Sequence, residues 1–96
     1  HRDSICCAQY LAFWEPDAPC HIVDENMSWI RGFYKAMRPR ASNESYQNYC
    51  DNDLQNWAQR YYGSNLPELR RLKALYDPDN VFHFPQSIPP ATGGLL

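Results

Sequence analysis

The run Glu44 to Trp57, ESYQNYCDNDLQNW, sets the phenols of Tyr46 and Tyr49, the amides of Gln47, Asn48 and Asn52, the Cys50 thiol and the carboxylates of Asp51 and Asp53 within a few residues of one another. Amides donate and accept hydrogen bonds, and phenols carry a transferable proton, so this set can hold a polar ligand and move a proton. Two readings stand side by side. One is a loop ahead of a capped helix, and the other is the edge of an active site. A second polar candidate is Gln9, the single strongly polar residue of ICCAQYLAFW, Ile5 to Trp14. Its amide must find partners in a core or line a polar pocket. Cys6, Cys7, Cys20 and Cys50 lack the paired spacing of a structural zinc site, so no metal is expected.

These groups need elements to position them. The unbroken apolar run from Ile5 to Trp14 predicts a strand buried on both faces, with Gln9 sharing a face with Ile5, Cys7, Leu11 and Phe13. EPDAPC then breaks it. Met27, Ile30, Tyr34 and Met37, flanked by Trp29 and Phe33, recur at helical spacing and predict an amphipathic helix over 22–40, capped by Asp24 and stopped near Arg38 by Pro39. Arg38 and Arg40 are expected to solvate the surface. Two further helices are predicted over 51–78. The first is capped by Asp51 or Asn52, buries Leu54, Trp57, Ala58 and Tyr61, and ends at Gly63. The second opens on a capping box of Asn65 and Glu68, carries Leu69, Leu72 and Leu75, and closes at Asp77-Pro78. A DPDN turn and an extended, proline-stiffened tail over 79–96 complete the chain.

Composition narrows the class. The chain has 96 residues, 44% hydrophobic and 15% aromatic, with a formal net charge of -2, which fits one compact globular unit. Nine cationic residues are scattered among eleven acidic ones, so no basic patch exists for counterion-release binding, and nucleic acid is not an expected partner. No apolar run is long enough to span a bilayer, and no membrane partner is expected. The sequons at Asn26 and Asn43 point to a secretory route, in which a disulfide involving Cys7 or Cys20 is possible. A lone apolar strand leaves two open edges and needs a sheet from elsewhere. Together with His1 in place of a methionine, that reads as a processed or trimmed segment of something larger.

The ordered series HR, QY, a tryptophan, YQNYCDNDL and YYGSNLPELRRLKALYDPDNVFHFPQSIPP resembles the C-terminal end of the berberine-bridge-enzyme-like flavin-linked oxidases. The likeness spans essentially the whole chain. It implies an α+β fold class: the C-terminal part of a two-domain flavoprotein oxidase. Residues 1–16 would form the last strand of the substrate-domain antiparallel sheet, followed by about three helices and the tail. The FAD-binding domain would lie before His1, as an N-terminal remainder with which this chain partners. The resemblance places Tyr49, in the NY-x-D motif, beside flavin and substrate as general base, and gives Asn48 a role in holding the flavin or the Tyr49 loop. Gln9 resembles a glutamine that lines the sugar pocket of oligosaccharide oxidases.

Oxidising an alcohol by hydride loss to flavin requires a base for the hydroxyl proton. A phenol with a pKa near ~10 needs on the order of 4 kcal/mol of phenolate stabilisation to serve at neutral pH. The free amides of a helix starting just after Tyr49 are one expected source. The strand carries no carboxylate where alkaloid- and cannabinoid-forming members have a glutamate, so hydroxyl oxidation is favoured over proton abstraction from a phenol. The expected activity is therefore hydride transfer from a sugar or secondary-metabolite alcohol to FAD, with reduction of O2 to H2O2, in a secreted protein. The alternative is a non-catalytic module of the same fold that binds a partner or carbohydrate. Asn80 and the PQSIPP tail are read as structural.

Overall fold

The computed structural model describes residues 1–91; residues 92–96, the end of the expected tail, lie outside the described residues. It contains three α-helices, α1 (Cys20–Met37), α2 (Trp57–Tyr62) and α3 (Leu66–Tyr76), with 3-10 turns at Arg38–Arg40 and Gly63–Asn65. Two compact units divide the chain, His1–Ser42 and Asn43–Leu96.

The first unit is α1 with an extended approach. Among the described residues there is no β-strand, and this overturns the expected α+β class and the buried strand over 1–16. The segment is a small helical one. A strand exists only where a neighbour pairs its amides and carbonyls, and no other described segment supplies that neighbour. The apolar pattern signalled a buried surface, but Ile5 is 102% and Phe13 81% exposed here. Gln9 is exposed as well, so its amide faces neither of the burdens that a buried strand would impose. Tyr10 is more sheltered, set edge-on to Phe33 at 5.0 Å between ring centroids, while Phe33 stacks on Trp29 at 5.5 Å.

Helix α1 matches its periodicity better than its predicted limits. Met27, Ile30, Tyr34 and Met37 are its half-buried stripe, and the flanking Trp29 and Phe33 are exposed. It begins at Cys20, where Ile22 and Val23 donate to the Pro19 carbonyl at 2.9 and 3.3 Å. Asp24 therefore lies inside the helix rather than at its cap. Pro39 ends the α-conformation as expected, by tightening the chain into the 3-10 turn. Arg38 does more than meet solvent: its guanidinium lies 5.9 Å from the Tyr34 ring centroid and donates to the Ser42 carbonyl at 3.0 Å.

In the second unit the predicted cap at Asp51 does not start a helix. Its carboxylate accepts from the Asp53 amide at 2.9 Å, an Asx turn, and a series of turns leads to Asn56 at φ 53 before α2 begins. Short-range bonding of an aspartate to the backbone competes with helix capping, and here the turn wins. Gly63 does end α2, at φ 51, where a side chain would be strained. The capping box is absent, because the Glu68 carboxylate is forked by Arg71 at 2.7 and 2.9 Å and Asn65 makes no cap bond. Leu69 and Leu72 are half-buried, and Leu75 is exposed.

Asp77 closes α3 with a clasp. Its carboxylate accepts from the amides of Val81 at 2.7 Å and Phe82 at 3.0 Å and from Lys73 Nζ, which also donates to the Phe82 carbonyl. The DPDN turn is present, with Asn80 donating to the Asp77 carbonyl at 3.0 Å. The tail then returns along α3, where the Ala91 amide donates to the Arg70 carbonyl at 3.3 Å.

The Lys73 hydrogen bond, helped by the two amides, holds the Asp77 carboxyl below its ordinary range. The clasp therefore contributes stability above the unfolded aspartate value, about 3.9, and loses it as pH falls through the lower folded value. Hydrogen exchange on the full polypeptide should find the Val81 and Phe82 amides protected at neutral pH, with protection shrinking in acid. Asp77→Asn should begin less protected at neutral pH. Equal protection in that variant would refute the clasp.

Candidate functional site

The site is built outward from two consecutive residues of α2. Arg60 offers its backbone carbonyl to the Ser45 amide at 3.0 Å. Tyr61, only 6% exposed, turns its phenol toward Asp51 and Gln86. There the Asp51 amide donates to the Tyr61 oxygen at 3.2 Å, the Tyr61 hydroxyl donates to Gln86 Oε1 at 2.9 Å, and Gln86 Nε2 donates back to the Asp51 carbonyl at 2.6 Å. These three bonds form a closed ring. Gln86 is 5% exposed and Leu54 is 7% exposed, so the knot and one leucine form the core.

Ser45 and Asp51 are thereby fixed, and the loop between them projects. Within it the Tyr49 amide donates to the Tyr46 carbonyl at 3.2 Å, and the Cys50 thiol donates to the Gln47 carbonyl at 3.2 Å. Asn48 Nδ2 donates to the Tyr46 hydroxyl at 2.8 Å. The two tyrosine rings meet edge to face at 5.4 Å, yet Tyr46 remains 44% and Tyr49 56% exposed. The structure thus brings Asn48 and Tyr49 together on a loop anchored at both ends. Gln9 belongs to the other unit.

Two expectations about this loop change. The helix whose free amides were to flank Tyr49 begins only at Trp57, so turns rather than a helix end follow the tyrosine. Asp51, expected to oppose a phenolate, has its carboxylate engaged by the Asp53 amide. Burial pushes the phenol of Tyr61 up, and does the same to Tyr62, whose value Cys50 and Tyr61 raise further. Both are kept as neutral phenols, poor proton acceptors at neutral pH. Of the two sequon asparagines, Asn43 is exposed in irregular chain, whereas Asn26 sits inside α1 with its amide bonded to the Ile22 carbonyl at 2.8 Å. Cys6, Cys7, Cys20 and Cys50 are free and exposed. Among the described residues no cluster could hold a metal ion, and no helix is long and apolar enough to cross a membrane.

Sequence reasoning missed Gln86 as the centre of the knot. The available signal was one long amide among the prolines of FPQSIPP, where the surrounding backbone has few amides of its own to offer.

The family model described as "Berberine and berberine like" matches residues 45–89, a span that runs from the first loop anchor past Gln86. The chain is similar to the berberine-bridge-enzyme-like family. It is 39% identical over its whole length to the uncharacterized FAD-linked oxidoreductase YgaK of Bacillus subtilis, covering 20% of that protein. A second Bacillus subtilis protein, the uncharacterized FAD-linked oxidoreductase YvdP, is 44% identical over 94% of the chain, which covers 19% of the relative. Berberine bridge enzyme-like C-1 of Nicotiana tabacum is 32% identical over 96% of the chain, which covers 22% of the relative. The chain thus spans about a fifth of the length of these relatives. No solved structure matches it significantly.

The berberine-bridge-like segment depends on its knot for the loop. Gln86→Leu removes one member and strands the Tyr61 hydroxyl and the Asp51 carbonyl, at a cost of about 1–3 kcal/mol. Exchange protection of the Asp51 amide should fall accordingly, by roughly one to two decades in protection factor. An unchanged Asp51 amide would show that the ring does not hold the loop.

Proposed function

We infer that this segment is part of an FAD-linked oxidoreductase that oxidises a hydroxyl-bearing substrate, with Tyr49 as the base. The observation that carries the reading is the loop itself: a phenol projects into the open from a backbone tied at Ser45 and Asp51, with an oriented amide one residue away. Similarity to FAD-linked oxidoreductases over 94–100% of the chain supports it. The flavin-binding part then lies elsewhere in the full polypeptide, as the partner of this segment.

The donor set suits a flavin. Asn48 spends its Nδ2 on Tyr46, leaving its carbonyl oxygen to accept from a ring N–H, and the exposed edges of Tyr46 and Tyr49 can border a flat aromatic system. FAD, when bound, supplies the hydride acceptor, and O2 finally takes the two electrons to give H2O2. The alcohol carbon loses its hydrogen with both electrons, its hydroxyl loses a proton, and a carbonyl forms. Tyr49 takes that proton at its side-chain oxygen. Asn48 keeps the loop and the flavin edge in register. Gln9, with its exposed amide, is the residue we assign to a substrate hydroxyl, of a sugar or another alcohol. Export fits Asn43, exposed in irregular chain, better than Asn26, half-buried inside α1, as a glycan acceptor, since a glycan needs an exposed site.

The test is anaerobic stopped-flow reduction of the flavin in the full polypeptide by a candidate alcohol. Tyr49→Phe should retain the flavin spectrum and slow reduction by about 10²- to 10⁴-fold, the usual weight of a general base. Reduction at the parental rate would remove Tyr49 from the chemistry. A colourless full polypeptide would replace the oxidase with a binding module of the same fold.

A further inference from the structure

Three contacts run from Tyr46 to its neighbours in the loop, and each uses a different part of the residue. Its backbone carbonyl accepts from the Tyr49 amide at 3.2 Å, closing a turn over residues 46–49. Its ring meets that of Tyr49 with centroids 5.4 Å apart and planes inclined by 67°. Its hydroxyl accepts from Asn48 Nδ2 at 2.8 Å. Tyr46 also follows directly on Ser45, the residue tied to the Arg60 carbonyl.

These contacts act on different degrees of freedom. The turn hydrogen bond sets the path of the backbone and leaves the Tyr49 side chain free about χ1. Exposed side chains exchange among their staggered rotamers quickly, and Tyr49 is more than half exposed. Its rotamer is therefore chosen by whatever its ring touches. An edge-to-face aromatic pair favours the paired rotamer roughly two- to tenfold over one that breaks the contact. The Tyr46 ring can give that direction only if it is itself held. The turn fixes Tyr46 at its backbone, and the Asn48 amide fixes it at its hydroxyl, so the side chain is restrained at both ends.

Placement matters because a general base must lie within hydrogen-bond reach of the proton it takes. A displacement of about 1 Å in a reacting group can cost on the order of a hundredfold in rate. We infer that Tyr46 is a positioning residue for the Tyr49 base: Asn48 holds its hydroxyl, and its ring, so held, selects the rotamer that presents the Tyr49 phenol to the reacting hydroxyl. The inference rests on the reading of Tyr49 as the base and adds a residue that acts only through it. No bond forms or breaks at Tyr46.

The experiment is a double-mutant cycle on the full polypeptide, read by anaerobic stopped-flow reduction of the flavin by a candidate alcohol. Tyr46→Leu should slow the limiting reduction rate about tenfold while leaving the dissociation constant of the alcohol unchanged, since placement of the base is altered and binding is not. Tyr46→Phe keeps the ring and loses the hydroxyl, and its rate should fall between those of the parent and Tyr46→Leu. In a Tyr49→Phe background, Tyr46→Leu should change the rate by less than about twofold, because no base is left to place. Hydrogen exchange at the Tyr49 amide gives a reading independent of turnover, and should quicken in Tyr46→Leu more than in Tyr46→Phe. Tyr46 is exposed and outside the core, so circular dichroism and the flavin spectrum should be those of the parent in both variants. The inference is overturned if Tyr46→Leu reduces the flavin at the parental rate, if it is equally harmful with Tyr49→Phe, if Tyr46→Phe is no faster than Tyr46→Leu, or if only the affinity for the alcohol changes. A parental rate in Tyr49→Phe alone would remove the base and this inference with it, a result distinct from failure of the Tyr46 variants.

Discussion

The ring of hydrogen bonds among Asp51, Tyr61 and Gln86 is the constraint on which the second unit depends. It ties together residues 10, 25 and 35 positions apart, so a loop, a helix and the tail are closed on one another by three bonds. Among the described residues only Leu54 and Tyr61 are buried apolar residues, and so hydrophobic burial alone gives little definition to this fold. A buried polar group left unpaired costs about 1–3 kcal/mol, and this asymmetry lets a polar knot specify one arrangement. Gln86 suits the place because one amide both accepts from a phenol and donates to a carbonyl.

Order spreads from the knot along covalent connections. Fixing Asp51 fixes one end of the Tyr46–Cys50 loop, and Arg60, the residue before Tyr61, fixes the other. The Tyr61 ring lies 6.2 Å from that of Trp57 and helps to set it. The remainder of the tail is held by charge: Asp77 gathers Lys73 and two amides, and Arg70 donates to the Pro90 carbonyl at 3.4 Å. The chain after α3 is thus secured by two side chains of that helix, Arg70 and Lys73, while Arg71 pairs with Glu68 within it.

Local rules were legible where a single physical preference acts alone. Gly63 ends α2 because only glycine takes that φ freely, Pro39 stops α1, and Met27, Ile30, Tyr34 and Met37 form its sheltered stripe. They failed where two preferences compete or where a partner is needed. Asp51 can cap a helix or close an Asx turn, and the knot at its backbone decides for the turn. Glu68 can reach back to a cap or forward to Arg71, and the bidentate pair is the better geometry. The run from Ile5 to Trp14 has the composition of a strand, but composition cannot supply a neighbouring strand. The proximity of Asn48 and Tyr49 followed from sequence adjacency; the anchors that present them, Arg60 and Gln86, did not, because they are remote in the chain.

Tyr49 and Tyr61 show why residue type alone decides so little. Both are phenols in one short segment, and each lies near Asp51. Tyr61 is enclosed, accepts from an amide and donates to an amide oxygen, and burial raises its value; its proton is committed to the fold. Tyr49 stands on the loop that Tyr61 secures, more than half exposed, its ring set edge to face with that of Tyr46. A base must be able to meet a substrate, and a group whose hydrogen bonds already close a ring cannot do so without opening it. The difference between the two tyrosines is therefore set by the knot: the phenol inside it fixes the backbone, and the phenol outside it is left exposed.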